Sequence, residues 1–138
     1  LAATQVGISK RLIVMGVHDH DEDNGHSKER CHSCKIYRLA NPEMIERSQE
    51  NEQSSEGCLS VPGQYAEITR AKSIKIQYID ENNEKKTLMA SGLLGDCIQH
   101  ELDHLDGILF IDHLSAMKRK MLIQKAKKLI ATQQENQE

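Results

Sequence analysis

At 138 residues, with 28% charged residues and a formal net charge of −3, the chain is long enough for one domain with a core of its own, and its balance does not point to nucleic acid over the whole surface. No apolar run approaches the roughly 20 residues needed to span a bilayer, and there is no secretory signal pattern. The four cysteines, Cys31, Cys34, Cys58 and Cys97, fit a reducing compartment, because a chain of this size builds a core without staples. The chain opens at Leu1 without a methionine and reads as lacking an N-terminal segment, so a bacterial cytoplasmic setting and an organellar one both fit.

In chain order, residues 11–17 read as a strand, with Leu12, Ile13, Val14, Met15 and Val17 in a short run. Residues 18–35 form a polar insertion with four histidines and two cysteines; Cys31-His32-Ser33-Cys34 is a lone CxxC, a weak signal for a second metal or a redox pair. Strand character resumes over 36–40, and Asn41-Pro42 marks a turn or strand edge. Residues 49–55 are polar and expected at the surface, and 57–63 form a short apolar stretch bounded by Gly and Pro. Residues 73–79 alternate, with Ile74, Ile76 and Tyr78 on one face; turn residues 80–84 and a return over 86–90 predict a hairpin.

Leu93, Leu94, Cys97, Ile98, Leu102 and Leu105 recur at three- and four-residue steps between Gly92 and Gly107, which predicts a helix. That helix carries His100-Glu101-Leu102-Asp103-His104, an H-E-x-x-H motif. Imidazoles four residues apart lie one turn above each other, about 6 Å along the axis, so both can face one divalent ion while Glu101 reaches water beside it. An extended piece is expected at 108–111, followed by a helix over 115–138 with Ser115 as N-cap. That segment holds Lys118, Arg119, Lys120, Lys125, Lys127 and Lys128 against Glu135 and Glu138, a net +4 that leaves −7 on the rest. It is either a solvated basic face or a docking element for an anionic partner.

The motif lacks a third ligand. His113 lies nine residues downstream, but the metzincin spacing that begins with Gly107 calls for a histidine where Phe110 stands. A thermolysin-like downstream glutamate would have to come from the polar tail. Upstream, Cys58 stands beside Gly57, which allows close backbone approach.

Three segments, Leu1-Ala-Ala-Thr-Gln-Val-Gly7, Glu56-Gly-Cys-Leu-Ser60 and Gln99-His-Glu-Leu-Asp-His104, closely resemble in order and spacing the three signature motifs of peptide deformylases. The resemblance covers nearly the whole chain. It implies an α+β fold, with antiparallel strands around a central metal-binding helix and a C-terminal helix packed outside. It further implies one divalent metal, typically Fe(II), with Zn(II), Ni(II) or Co(II) as alternatives, held by Cys58, His100 and His104 with a position open for water. The implied reaction removes the formyl group from the N-terminal formyl-methionine of new polypeptides and releases formate. Glu101 is then the general base, and the Gln5 side chain and the Leu59 main-chain N–H are the oxyanion donors. Gly57, Leu93 and Cys97 are implied around the substrate. Arg70 is implied as the partner of Glu56, read as scaffold for the Cys58 loop, and Asp103 either orients a ligand imidazole or faces solvent.

Some features depart from the family pattern. The Gly-x-Gly that precedes the first motif is not in the chain, and the 18–35 insertion is long. Asp96 falls where the methionine pocket is usually apolar, so it turns to solvent or makes that pocket polar. The implied partners are formyl-methionyl nascent chains and, through the basic terminal helix, the ribosome; neither membrane nor DNA is expected. A metallopeptidase and a non-catalytic metal-binding module are the rivals, the intact Glu101 speaking against the second.

Overall fold

The computed structural model describes residues 1–18 and 34–135. Six strands and two α-helices follow a short 3₁₀ turn at Ala3–Val6: β1 Leu12–His18, β2 Cys34–Arg47, β3 Asn51–Cys58, β4 Val61–Ala71, β5 Ser73–Ile79, β6 Lys85–Ser91, α1 Gly92–Leu105 and α2 Ala116–Glu135. All strand pairs are antiparallel. One sheet runs β1-β2-β5-β6, and β3 and β4 form a separate two-stranded ribbon. The expected α+β arrangement is the one observed, with the motif helix between sheet and ribbon. The 18–35 insertion, including the CxxC, falls almost wholly outside the described residues.

α1 packs on the sheet through the period predicted for it. Ile98 and Leu102 meet Ile13, Met15, Leu39, Ile74, Ile76 and Ala90 in one buried cluster. Full burial of each such aliphatic side chain contributes about 1.5–3 kcal/mol. A polar clamp joins α1 to the ribbon: buried Gln99 accepts from Ala71 N at 3.2 Å and donates to Ala71 O at 3.0 Å. A second cluster, with Val61, Ile68, Phe110, Ile111, Leu122 and Ala126, seats α2 against β4.

The hairpin of β5 and β6 follows the alternation read from the sequence, closed by Asp80, whose Oδ1 accepts from the Asn82 and Glu84 amides at 2.9 Å each. Three local expectations differ from what is found. Asn41-Pro42 does not end a strand; β2 continues to Arg47 through a register shift between Ala40 and Glu43. Asn41 takes a left-handed φ of 48° there, and a bulge is where an interior strand tolerates a proline with no N–H to offer. The polar segment from residue 49 is at the surface but becomes strand from Asn51, because every residue from Asn51 to Cys58 finds a partner on β4. The extended piece at 108–111 instead turns into a 3₁₀ segment at Phe110–His113.

That turn is fixed by Asp112, which accepts from Leu109 N at 2.9 Å and from Arg119 Nε, on α2, at 2.7 Å. Ser115 caps α2, its Oγ accepting from Lys118 N at 3.3 Å. The Leu109 amide first, then Arg119, hold the Asp112 carboxyl below its ordinary 3.8. A lowered folded-state value stabilises the fold above the unfolded value and ceases to do so as pH falls through the folded one. Asp112→Asn is therefore expected to lower the urea midpoint at pH 7, with the gap to the parent narrowing below pH 3.8; an equal gap at both pH values would contradict the assignment.

Candidate metal centre

The ribbon and α1 meet at one point, and the three predicted ligands meet there. Cys58 ends β3, just before the two-residue turn Leu59-Ser60, while His100 and His104 face it from α1. Cys58 Sγ is 3.2 Å from His104 Nε2, which is 3.1 Å from His100 Nε2, and the three donor atoms lie within 4.8 Å of one another. Tetrahedral coordination with bonds of about 2.0–2.3 Å places donor atoms roughly 3.3–3.6 Å apart, so a thiolate and two imidazoles at these separations fit one divalent ion. His113 is not part of the cluster; its Nε2 faces Asp103 Oδ2 at 2.7 Å.

Each ring is held by a neighbour. The His100 Nδ1 edge is 2.8 Å from Glu56 Oε1, which leaves Nε2 directed at the cluster. Glu56 in turn takes a paired contact from Arg70, with Nε to Oε2 and Nη2 to Oε1 at 2.8 Å each. Arg70 Nη1 donates to Asp103 Oδ2 at 2.6 Å, so a line of charge runs from His113 through Asp103, Arg70 and Glu56 to His100. Burial works to raise the Glu56 carboxyl, but the Arg70 and His100 contacts overcome it and hold it at about 2. The sequence reading of Glu56 as mere scaffold is thus too narrow, since it also orients a ligand ring. Its position 44 residues from His100 gives no local pattern from which that contact could be read. Asp103 acts through Arg70 rather than on a ligand ring.

Cys58 is partly buried, which works to raise its thiol. The Ser60 hydroxyl and amide, together with His100, reverse that effect and favour thiolate. Ser60 N lies 3.4 Å from the sulfur, a contact that the sequence reading passed over although Ser60 closes the middle motif. Gln5, on the N-terminal 3₁₀ turn, is aimed by its own backbone: Oε1 accepts from Ala2 N at 2.8 Å. Its Nε2 therefore faces Cys58 Sγ at 3.5 Å and Ser60 Oγ at 3.3 Å. Leu59 occupies the turn with its side chain exposed.

Glu101 borders the cluster. Its Oε2 is buried without a hydrogen-bond partner, and its Oε1 is 3.2 Å from the Leu1 main-chain nitrogen. Beside Glu101 opens a cavity of about 290 Å³ that contains the other predicted contacts, Gly57, Leu93 and Cys97, with Ser54 and Asp96. A Cβ on Gly57 would lie 2.5 Å from the exposed Tyr65 ring and 3.1 Å from the Gln64 carbonyl oxygen, so a side chain here would have to displace that ring. Asp96 does not turn to solvent; it is buried, at 9% exposure.

The family model described as polypeptide deformylase matches residues 1–120. The peptide deformylase of Rickettsia akari is 48% identical over 129 residues, covering 94% of this chain and 71% of that protein. That of Pelagibacter ubique is 43% identical, covering 94% and 69%. The crystal structure of the Ehrlichia chaffeensis peptide deformylase superposes with a TM-score of 0.85 at 41% identity, over 96% of this chain and 74% of that one. A second Ehrlichia chaffeensis structure, in complex with actinonin, gives 0.80 at 42%. The chain thus spans about 70% of the length of such relatives.

Replacing Arg70 by Met tests the charged line. It strands a buried carboxylate and is expected to cost about 3–5 kcal/mol in urea unfolding and to weaken zinc binding by about 10–100-fold. Unchanged zinc affinity in a folded variant would show that Glu56 does not need Arg70 to orient His100.

Proposed function

The chain belongs to the peptide deformylase family, and from that premise we propose how its residues carry out the family's reaction, the metal-dependent hydrolysis of the N-terminal formyl group of new polypeptides. The observation that carries the reading is the convergence of Cys58 Sγ, His100 Nε2 and His104 Nε2 beside the unpartnered Glu101 carboxylate oxygen. Those three side chains would hold one divalent ion, which when bound supplies Lewis acidity and lowers the pKa of water toward neutrality. A thiolate with two imidazoles suits Fe(II), the native ion in this reading, and also accepts Zn(II), Ni(II) or Co(II).

Glu101 takes the proton of the attacking water and passes it to the departing amine as the formyl carbon–nitrogen bond breaks. The oxyanion that develops on the formyl oxygen needs donors. Gln5 Nε2 is already turned toward the cluster, and the main-chain N–H of Leu59, the residue after Cys58, is the second donor in this reading. Loss of one such donor typically costs about 3–4 kcal/mol of transition-state stabilisation. The cavity lined by Gly57, Leu93 and Cys97 takes the first side chain of the substrate.

The nascent chain is met at the ribosome, and α2 is the docking element in this reading. Lys118, Lys120, Lys125, Lys127 and Lys128 are exposed along it, whereas Arg119 is engaged by Asp112. No described helix is long and apolar enough to cross a membrane. A cytoplasmic location accords with this reading and with the bacterial relatives.

Two measurements test the proposal. Glu101→Gln should retain metal but lose about 10²–10⁴-fold in formate release from a formyl-methionyl peptide; full turnover in the variant would remove Glu101 from the role of base, and cleavage at internal peptide bonds would favour a metallopeptidase instead. Reversing the five free lysines of α2 to glutamate should weaken ribosome cosedimentation and flatten its dependence on salt, while cosedimentation equal to the parent's at every salt concentration would rule out docking through α2.

A further inference from the structure

Of the two oxyanion donors, Leu59 offers a group of the backbone, whereas Gln5 offers an amide at the end of a long side chain with much rotamer freedom to lose. Such an amide donates in one direction only if both of its ends are held. One end is held by the chain nearby: Oε1 accepts from Ala2 N at 2.8 Å. That contact also fixes the sense of the amide, because a main-chain N–H meets an acceptor and not Nε2. The other end is held from far along the chain, where Nε2 donates to Ser60 Oγ at 3.3 Å across 55 residues.

Ser60 stands between that amide and the sulfur. It follows Cys58 in the turn between β3 and β4, and its main-chain N–H lies 3.4 Å from Cys58 Sγ. Its hydroxyl acts with that N–H to favour the thiolate. A hydroxyl has one hydrogen and two lone pairs, so Ser60 Oγ accepts from Gln5 while giving its own hydrogen to the sulfur. The two bonds polarise each other, and an oxygen that donates to a thiolate is the better acceptor for the amide. Gln5 Nε2 is itself 3.5 Å from Cys58 Sγ, which closes the group. The Ser60 side chain is exposed, so packing in the core does not account for its place.

We propose that Ser60 is a positioning residue for the reaction: its hydroxyl, anchored on the Cys58 sulfur, takes one Nε2 hydrogen of Gln5 and thereby presents the other to the formyl oxygen as negative charge develops there. The proposal rests on the reading of Gln5 as an oxyanion donor. Ser60 touches no substrate atom in this role and acts only through Gln5. A donor aimed in advance stabilises the charge without reorganising at the moment of reaction, so loss of the Ser60 hydroxyl should appear in kcat and not in KM.

A double-mutant cycle on formate release from a formyl-methionyl peptide by the metal-loaded protein tests this, together with a spectrum of the metal-free protein. Gln5→Ala should lower kcat by about 10²–10³-fold. Ser60→Ala should lower kcat by about tenfold in the parent with KM unchanged, and by less than about twofold where Gln5 is already Ala, because residues that act as a unit do not add. Ser60→Thr, which keeps the hydroxyl, should stay within about threefold of the parent. In a proton–nitrogen correlation spectrum without metal, the Gln5 side-chain amide pair, identified by its loss in Gln5→Ala, should shift in Ser60→Ala and hold its place in Ser60→Thr. Equal losses from Ser60→Ala in both backgrounds, no loss in the parent, or an amide pair unmoved by Ser60→Ala would each overturn the proposal. A large loss in Gln5→Ala beside no effect of Ser60→Ala would leave Gln5 as donor and dismiss only Ser60, whereas Gln5→Ala with the kcat of the parent would sink both.

Discussion

The buried contact between Glu56 and Arg70 is the constraint on which the site depends. Both side chains are less than a tenth exposed, and each would be costly to bury alone. Paired, they fix the β3–β4 ribbon from within, and Glu56 Oε1, besides accepting from Arg70 Nη2, meets the Nδ1 edge of His100 on α1. Two elements that share no sheet are thereby brought to one register. The Gln99 clamp on Ala71, one residue along from His100 and from Arg70, repeats the attachment without charge. The thiol of Cys58 and the two imidazoles need not find one another by flexible approach, because the backbone segments that carry them are already joined.

Much of this was legible in the sequence, and unevenly. The helix of the H-E-x-x-H motif shows itself through a 3.6-residue period that runs through Ile98 and Leu102, the same residues that fill the core. The β5–β6 hairpin shows itself through strict alternation and turn residues at Asp80 and Asn83. By contrast, β3 carries almost no apolar signal. Its residues become a strand because β4 pairs with them, and a partner supplied by tertiary structure is invisible in a local window. Pro42 misled for the opposite reason: a local rule that usually ends an interior strand is satisfied here by a bulge.

The site divides along the same line. His100, Glu101 and His104 were legible in the one-turn spacing of the helix motif, whereas the expectations for Cys58 and Gln5 came only from the resemblance of their segments to the motifs of the family. The role of Glu56 toward His100, and the extension through Arg70 and Asp103 to His113, were not legible, because each contact joins residues far apart in the chain. Asp96 lies between these cases. Its residue type at an expected apolar pocket was conspicuous, and the structure settles the alternative that the sequence left open by placing it buried on the cavity wall beside Ser54.

The central claim is that one sulfur and two imidazole nitrogens converge on a single ion. X-ray absorption at the metal edge of the protein loaded with zinc or iron tests it most directly. The account predicts one sulfur neighbour at about 2.3 Å with nitrogen neighbours near 2.0–2.1 Å, and loss of the sulfur shell in Cys58→Ala. A coordination shell without sulfur in the parent protein, or a sulfur shell that survives in Cys58→Ala, would contradict it.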